Sequence, residues 1–156
     1  MKAIHSMITA LGLAFVLPVP ADAGQSDPEV ILYRFPGVAD SGVDFTGAAT
    51  SFICTNFSGA AETIRFVTRG PTGSLLGNSA VTINHLNTIT ASTKSTALYL
   101  DNVNLSTGVV NQGTTAIAAT STNIICTAMV SDASGPVPVG VALRGIRFSP
   151  VPGSQE

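Results

Sequence analysis

Few residues in this chain have side chains that could carry chemistry. Cysteine occurs at Cys54 and Cys126 only, and past Ala23 the sole histidine is His85 and the sole lysine Lys94. The acids in turn-like segments are Asp40, Asp44, Asp101 and Asp132. A zinc site needs several His, Cys or carboxylate ligands on one centre, and His85 would have to borrow its partners. A Ser-His-Asp triad would need His85 with Asp101 and a serine, yet no Gly-x-Ser-x-Gly turn exposes a nucleophile. Ser92-Thr93-Lys94 lacks the Ser-x-x-Lys spacing, which leaves Lys94 as a solvated charge in a polar turn. Asp40-Ser41-Gly42-Val43-Asp44 and Asp101-Asn102-Val103-Asn104 could offer oxygens to calcium. Neither has the spacing of the calcium-loop motif, and Asx turns account for both. The same few acids would have to supply any carboxylate pair for glycoside hydrolysis. His85 falls in an alternating run with Val81 and Ile83, where a partly buried structural imidazole is expected. No catalytic, cofactor-binding or metal site is therefore expected, and no cofactor.

The cysteines are the exception. Each lies in an apolar, β-prone run, Ser51-Phe52-Ile53-Cys54-Thr55 and Ile124-Ile125-Cys126-Thr127. Their compartment decides their chemistry, and the start of the chain bears on it. Met1-Lys2 is positive, Met7 to Leu17 is uncharged and mostly apolar, and Pro18 and Pro20 stop a helix. Ala21-Asp22-Ala23 then places small residues before Gly24. This is the pattern of a signal peptide over 1–23, cleaved after Ala23. The apolar run is short of the roughly 20 residues a membrane span requires, and no later stretch reaches that length. The expected mature chain is secreted or periplasmic, without an integral span. Oxidising surroundings favour a Cys54–Cys126 disulfide. Closing so long a loop is worth about 4 kcal/mol in the chain-entropy model. A redox-active pair is disfavoured, because there is no Cys-x-x-Cys.

Composition narrows the field further. Charged residues are 10% of the chain, hydrophobic residues 45%, and the formal net charge is −2. A charge fraction well under the usual quarter or so, with no block of one sign, excludes a basic nucleic-acid binder and an acidic disordered tail. Aromatics are few and include no tryptophan. Tyr33 and Tyr99 are the only candidates for an exposed carbohydrate-stacking platform. Asn56-Phe57-Ser58 and Asn104-Leu105-Ser106 match the glycosylation acceptor pattern, whose chance rate is high.

The elements that must position these residues are short and alternating. Runs over 30–35, 50–57, 63–69, 74–76, 81–86, 88–92, 97–105, 114–120, 123–130 and 139–148 are separated by Gly, Pro, Asn, Asp and Ser. In the third run Ile64 and Phe66 face one way and Arg65, Val67 and Arg69 the other, and Gly70-Pro71-Thr72-Gly73 reads as a tight turn. In the penultimate run Ile124, Cys126, Ala128 and Val130 share a face. Helical periodicity is missing, and abundant Thr suits a pleated, half-buried surface. About eight or nine strands at this spacing predict one all-β domain over 24–156, a two-layer antiparallel β-sandwich with one inter-strand disulfide. A small β-barrel is the alternative. Residues 24–29 and 149–156 are expected to be loose ends.

The cystine spacing is similar to that of an immunoglobulin-type domain, but only loosely. There is no Trp to pack on the bridge, and Ile124 stands where the Tyr of a tyrosine corner would. Taken together, Cys54-Thr55-Asn56, Asn111-Gln112-Gly113, the run Asn123 to Ala128 and the closing Arg147-Phe148-Ser149-Pro150 resemble small exported bacterial β-sandwich proteins that carry no assigned function. That resemblance covers most of 24–156 and implies no active site. Fimbrial subunits are also exported two-cysteine sandwiches, polymerising by strand donation. Their aromatic residue near the C-terminus is missing here, and their cystine closes a shorter loop.

The functional expectation is a secreted or periplasmic, non-enzymatic β-sandwich that binds a protein or glycan partner or belongs to the envelope. A fimbria-like assembly subunit is the alternative, with a secreted hydrolase or carbohydrate-binding module ranked below it. Partners exclude nucleic acid.

Overall fold

A computed structural model describes residues 29–137 and 139–148. The expected signal peptide, 24–28 and 149–156 lie outside them. The described chain has no helix. It forms β1 (Val30–Asp40), β2 (Ala48–Asn56), β3 (Glu62–Arg69), β4 (Leu75–Ile83), β5 (Thr88–Ser92), β6 (Val103–Asn104), β7 (Val110–Ala119), β8 (Ile124–Asp132), β9 (Gly140–Leu143) and β10 (Ile146–Arg147). Two five-stranded sheets result, ordered β10-β1-β7-β3-β4 and β6-β5-β2-β8-β9. Only the β5–β6 pair is parallel. Neither sheet closes on itself, so the architecture is a β-sandwich and not the barrel.

Alternation along the strands builds the core. β3 buries Ile64, Phe66 and Thr68 and turns Arg65, Val67 and Arg69 outward, as its sequence predicts. Phe35 of β1 and Phe66 of β3 come from one sheet and Phe52 of β2 from the other. Their rings meet at 5.7 Å (Phe35–Phe52) and 6.0 Å (Phe52–Phe66), so the layers interdigitate through aromatics. Leu32, Ile64, Ile117 and Ile124 fill the space around them. Each such side chain contributes about 1.5–3 kcal/mol by leaving water. The many hydroxyls are accommodated in pairs: Thr68 with Thr115 at 2.8 Å, and Ser51 with Ser92 at 2.8 Å, both buried and each between register partners. A hydroxyl is self-complementary as donor and acceptor, which is how a Thr- and Ser-rich chain buries polar groups without charges.

The disulfide forms between Cys54 and Cys126. Its placement differs from the immunoglobulin pattern. Cys54 and Cys126 are direct partners on the neighbouring strands β2 and β8, with Cα atoms 4.2 Å apart, the spacing of a non-hydrogen-bonded antiparallel pair. The bridge staples one sheet and leaves the two sheets unlinked.

Strand boundaries also depart from expectation. The runs 74–76 and 81–86 merge into one strand, β4, which covers Leu75–Ile83 and leaves 84–86 in the turn after it, because β3 offers a continuous partner from Glu62 to Arg69. The 97–105 run is mostly loop: only Val103–Asn104 pairs, and Leu100 is 86% exposed. The closing 139–148 segment splits, β9 pairing with β8 in one sheet and β10 with β1 in the other. Glu29, placed among the loose residues by the sequence, is anchored: its carboxylate takes two hydrogen bonds from Arg65, at 2.5 and 3.1 Å.

Candidate functional site

One end of the sandwich gathers buried polar groups. β1 delivers the first of them through an irregularity. Its register shifts between Pro36 and Val38, where Gly37 adopts φ +84°, a conformation open to glycine at little cost. This bulge turns the strand by one residue, so Phe35, Val38 and Asp40 all point inward. Asp40 is thereby 2% exposed. From the other sheet, β5 ends at Ser92, and Thr93 is bound to β2 by its N–H to the Thr50 carbonyl (2.9 Å) and by its hydroxyl, which accepts the Thr50 N–H (3.1 Å). That clamp directs Lys94 inward.

Lys94 Nζ lies 3.1 Å from Asp40 Oδ1, with side-chain exposures of 6% and 2%. Nζ also donates to the Ser41 carbonyl, and the Thr107 hydroxyl donates to Asp40 Oδ2 at 3.3 Å. The solvated Lys94 expected from its polar surroundings is thus a buried ion pair. The sequence treated Asp40 and Lys94 separately, and the only local sign of an inward Asp40 was the Pro36-Gly37 interruption of a strand. Beside the pair, Asp101 accepts hydrogen bonds from the Ser92 hydroxyl (2.5 Å) and from the Thr96 N–H (2.6 Å) and hydroxyl (3.1 Å). An open pocket of about 330 Å³ is lined by Asp40, Gly42, Val43, Asp44, Lys94 and Ser106 among others.

The remaining sequence candidates disperse. His85 is exposed in the turn after β4, not on a strand, and its Nδ1 accepts the Gly59 N–H at 3.0 Å. It belongs to the Asn56 end of β2, where Thr55 pairs with Thr88, whereas Asp101 holds Ser92, the partner of Ser51. Four residues of strand, about 13 Å at roughly 3.3 Å each, separate those ends, so His85 and Asp101 do not meet. Asp44 accepts the Ser95 N–H at 3.0 Å, and Asp40 is neutralised by Lys94. Among the described residues no three His, Cys, Asp or Glu side chains gather as a metal would require. Asn104 forms the expected Asx turn, its Oδ1 accepting the Ser106 N–H at 2.8 Å.

The tyrosines are not platforms. Tyr33 is buried, stacked on Phe35 at 5.8 Å, with its hydroxyl donating to the Ile124 carbonyl at 3.3 Å. Tyr99 is half-buried against Met129. The exposed aromatics are instead Phe45 and Phe57, which flank the opposite ends of β2. Asn56, one of the two glycosylation matches, is fully buried. Its Nδ2 donates to the carbonyls of Ala60 (2.7 Å) and Ile83 (2.9 Å), so it ties two turns together.

A second feature lies at the edge of the other sheet. Among the described residues, β9 pairs with β8 on one side only. Val139 and Val141 are 72% and 70% exposed, beside a shallow groove of about 340 Å³ that Val130 and Ser131 also line. Gly140 makes the close approach possible, since a Cβ there would lie 2.4 Å from the Val130 carbonyl oxygen. Ser131 Oγ, buried at the groove, has no hydrogen-bond partner among the described residues.

The turn leading to β9 is capped by Asp132, which accepts the Ser134 N–H (3.0 Å) and hydroxyl (2.8 Å). These bonds, the backbone one first, hold its pKa below the ordinary aspartate value. Because the folded value is the lower one, the cap contributes fully above the ordinary aspartate range and is lost as pH falls through the depressed value. Carboxyl NMR titration should place the Asp132 midpoint below that of a free aspartate. Ser134→Ala should raise it part of the way, the backbone donor remaining.

Comparison with known proteins gives no match to any family model, curated protein or solved structure.

Proposed function

We propose that this chain is an exported, non-enzymatic β-sandwich, secreted or periplasmic, that works by holding a protein partner. The observation that carries this reading is the β9 edge, unpaired among the described residues, where Val139 and Val141 stand exposed next to a groove. A sheet edge offers unpaired N–H and C=O groups to an extended segment, and the flanking side chains supply apolar contact. The cystine suits an oxidising compartment, and among the described residues no helix is long and apolar enough to cross a membrane. Against catalysis stands the commitment of the reactive groups: Asp101 is bonded to Ser92 and Thr96, Asp40 to Lys94, and His85 lies at the other end of β2. A protein partner suits the site better than a glycan, because the exposed phenylalanines are single and far apart.

A photo-cross-linking residue at position 141 should capture a discrete adduct in the source cell, and one at Thr127, exposed within the same sheet, should not. Equal capture at both positions, or none at 141, overturns the reading. An adduct consisting of a second copy would favour the fimbria-like alternative. Hydrolysis of glycosides, esters or peptides by the purified protein, lost in His85→Ala or Asp101→Asn, would replace binding with catalysis.

A further inference from the structure

We infer that Lys94 and Asp40 condense in the folded chain to a side-chain amide, a covalent link between the two sheets that the cystine does not provide. Asp40 ends β1 in one sheet, and Lys94 follows β5 in the other. Lys94 Nζ, the nucleophile, lies 3.1 Å from Asp40 Oδ1, the oxygen that would leave, on side chains 94% or more buried. Two buried reactants held in contact have effective concentrations that reach on the order of 10⁵ M or more when well oriented.

The surroundings fit both the reaction and its product. The Thr107 hydroxyl lies within hydrogen-bond reach of both Oδ2 (3.3 Å) and the Gly108 carbonyl (3.1 Å); turned to Oδ2, its single hydrogen stabilises the charge that gathers there as Cγ is attacked. A proton passes from Nζ to Oδ1, and the neutral amine attacks Cγ. The Nζ–Cγ bond forms and the Cγ–Oδ1 bond breaks. Oδ1 departs as water with two of the three ammonium hydrogens, so no oxidant, reductant or co-reactant is consumed. The open pocket that both side chains line, with Asp44 as its other carboxylate, gives that water an exit. In the product the remaining N–H keeps the Ser41 carbonyl as acceptor, and the amide oxygen keeps the Thr107 donor. Every polar atom stays satisfied, and two buried charges, whose desolvation an ion pair repays poorly, are gone.

The test is a tryptic digest of the reduced, denatured, purified chain. Reduction matters, because the cystine joins the same regions. An amide at Lys94 blocks cleavage there, so peptide 35–65 should be recovered joined to 70–144, lighter than their sum by one water. In Asp40→Ala the cut after Lys94 should be restored. Thr107→Val, which retains both reacting groups, should lower the joined fraction. Complete cleavage after Lys94 in the wild-type chain overturns the proposal, even if the Asp40 variant fails to fold. So does a Lys94 that stays uncut in Asp40→Ala.

Discussion

Replacing Lys94 with alanine should lower the unfolding free energy by about 3–5 kcal/mol, the usual cost of stripping one partner from a buried ion pair. The reason is what stays behind. Asp40 is 2% exposed at the inward end of a bulged strand, and without Nζ its remaining side-chain partner is the Thr107 hydroxyl. A carboxylate left this way either keeps an uncompensated charge or takes up a proton, and both oppose folding. Urea titration should show the loss as a lower midpoint, with a steeper slope to the extent that the wild-type chain carries the amide, since a denatured chain without that cross-link exposes more surface. Asp40→Ala should cost a similar amount by stranding the ammonium. The double variant Asp40→Leu/Lys94→Met removes both charges and should recover much of the loss. Whatever it does not recover measures the covalent link between the sheets. A loss under about 1 kcal/mol for Lys94→Ala, the range of exposed pairs, would mean that the pair is hydrated in solution.

Removing the cystine should cost about 4 kcal/mol on the chain-entropy model. Cys54 and Cys126 are 72 positions apart, so their bond deletes many open conformations from the unfolded chain. In the folded state they are already register partners within the β2–β8 ladder, so little native structure should change. Cys54→Ala/Cys126→Ala should therefore keep its β circular dichroism while its urea midpoint falls. Its slope should rise, because an unbridged denatured chain exposes more surface. A double variant as stable as the wild type would show that β2 and β8 hold the two residues together in the denatured ensemble as well.

Much of the fold was readable along the chain. Strand alternation is a local property, set by which faces meet water, and β3 and the first half of β8 follow it residue by residue. Readings failed where a partner mattered. The alternating 97–105 run pairs only through Val103–Asn104, and the closing segment was divided between sheets. His85 continued an apolar pattern but fell one turn past the end of β4. The ion pair was the largest omission, since Asp40 and Lys94 each look like turn residues and become a pair only when the sheets stack.

By itself, then, the sequence determined the all-β class, the layered architecture and the identity of the cystine, because period-two patterning and the presence of only two cysteines are properties of the chain alone. Tertiary structure decided that the cystine staples a single sheet, that β9 ends its sheet among the described residues, and that a lysine and an aspartate lie in contact inside the sandwich. Those depend on strand order and on a one-residue bulge, which set where a side chain points and which distant residue it meets.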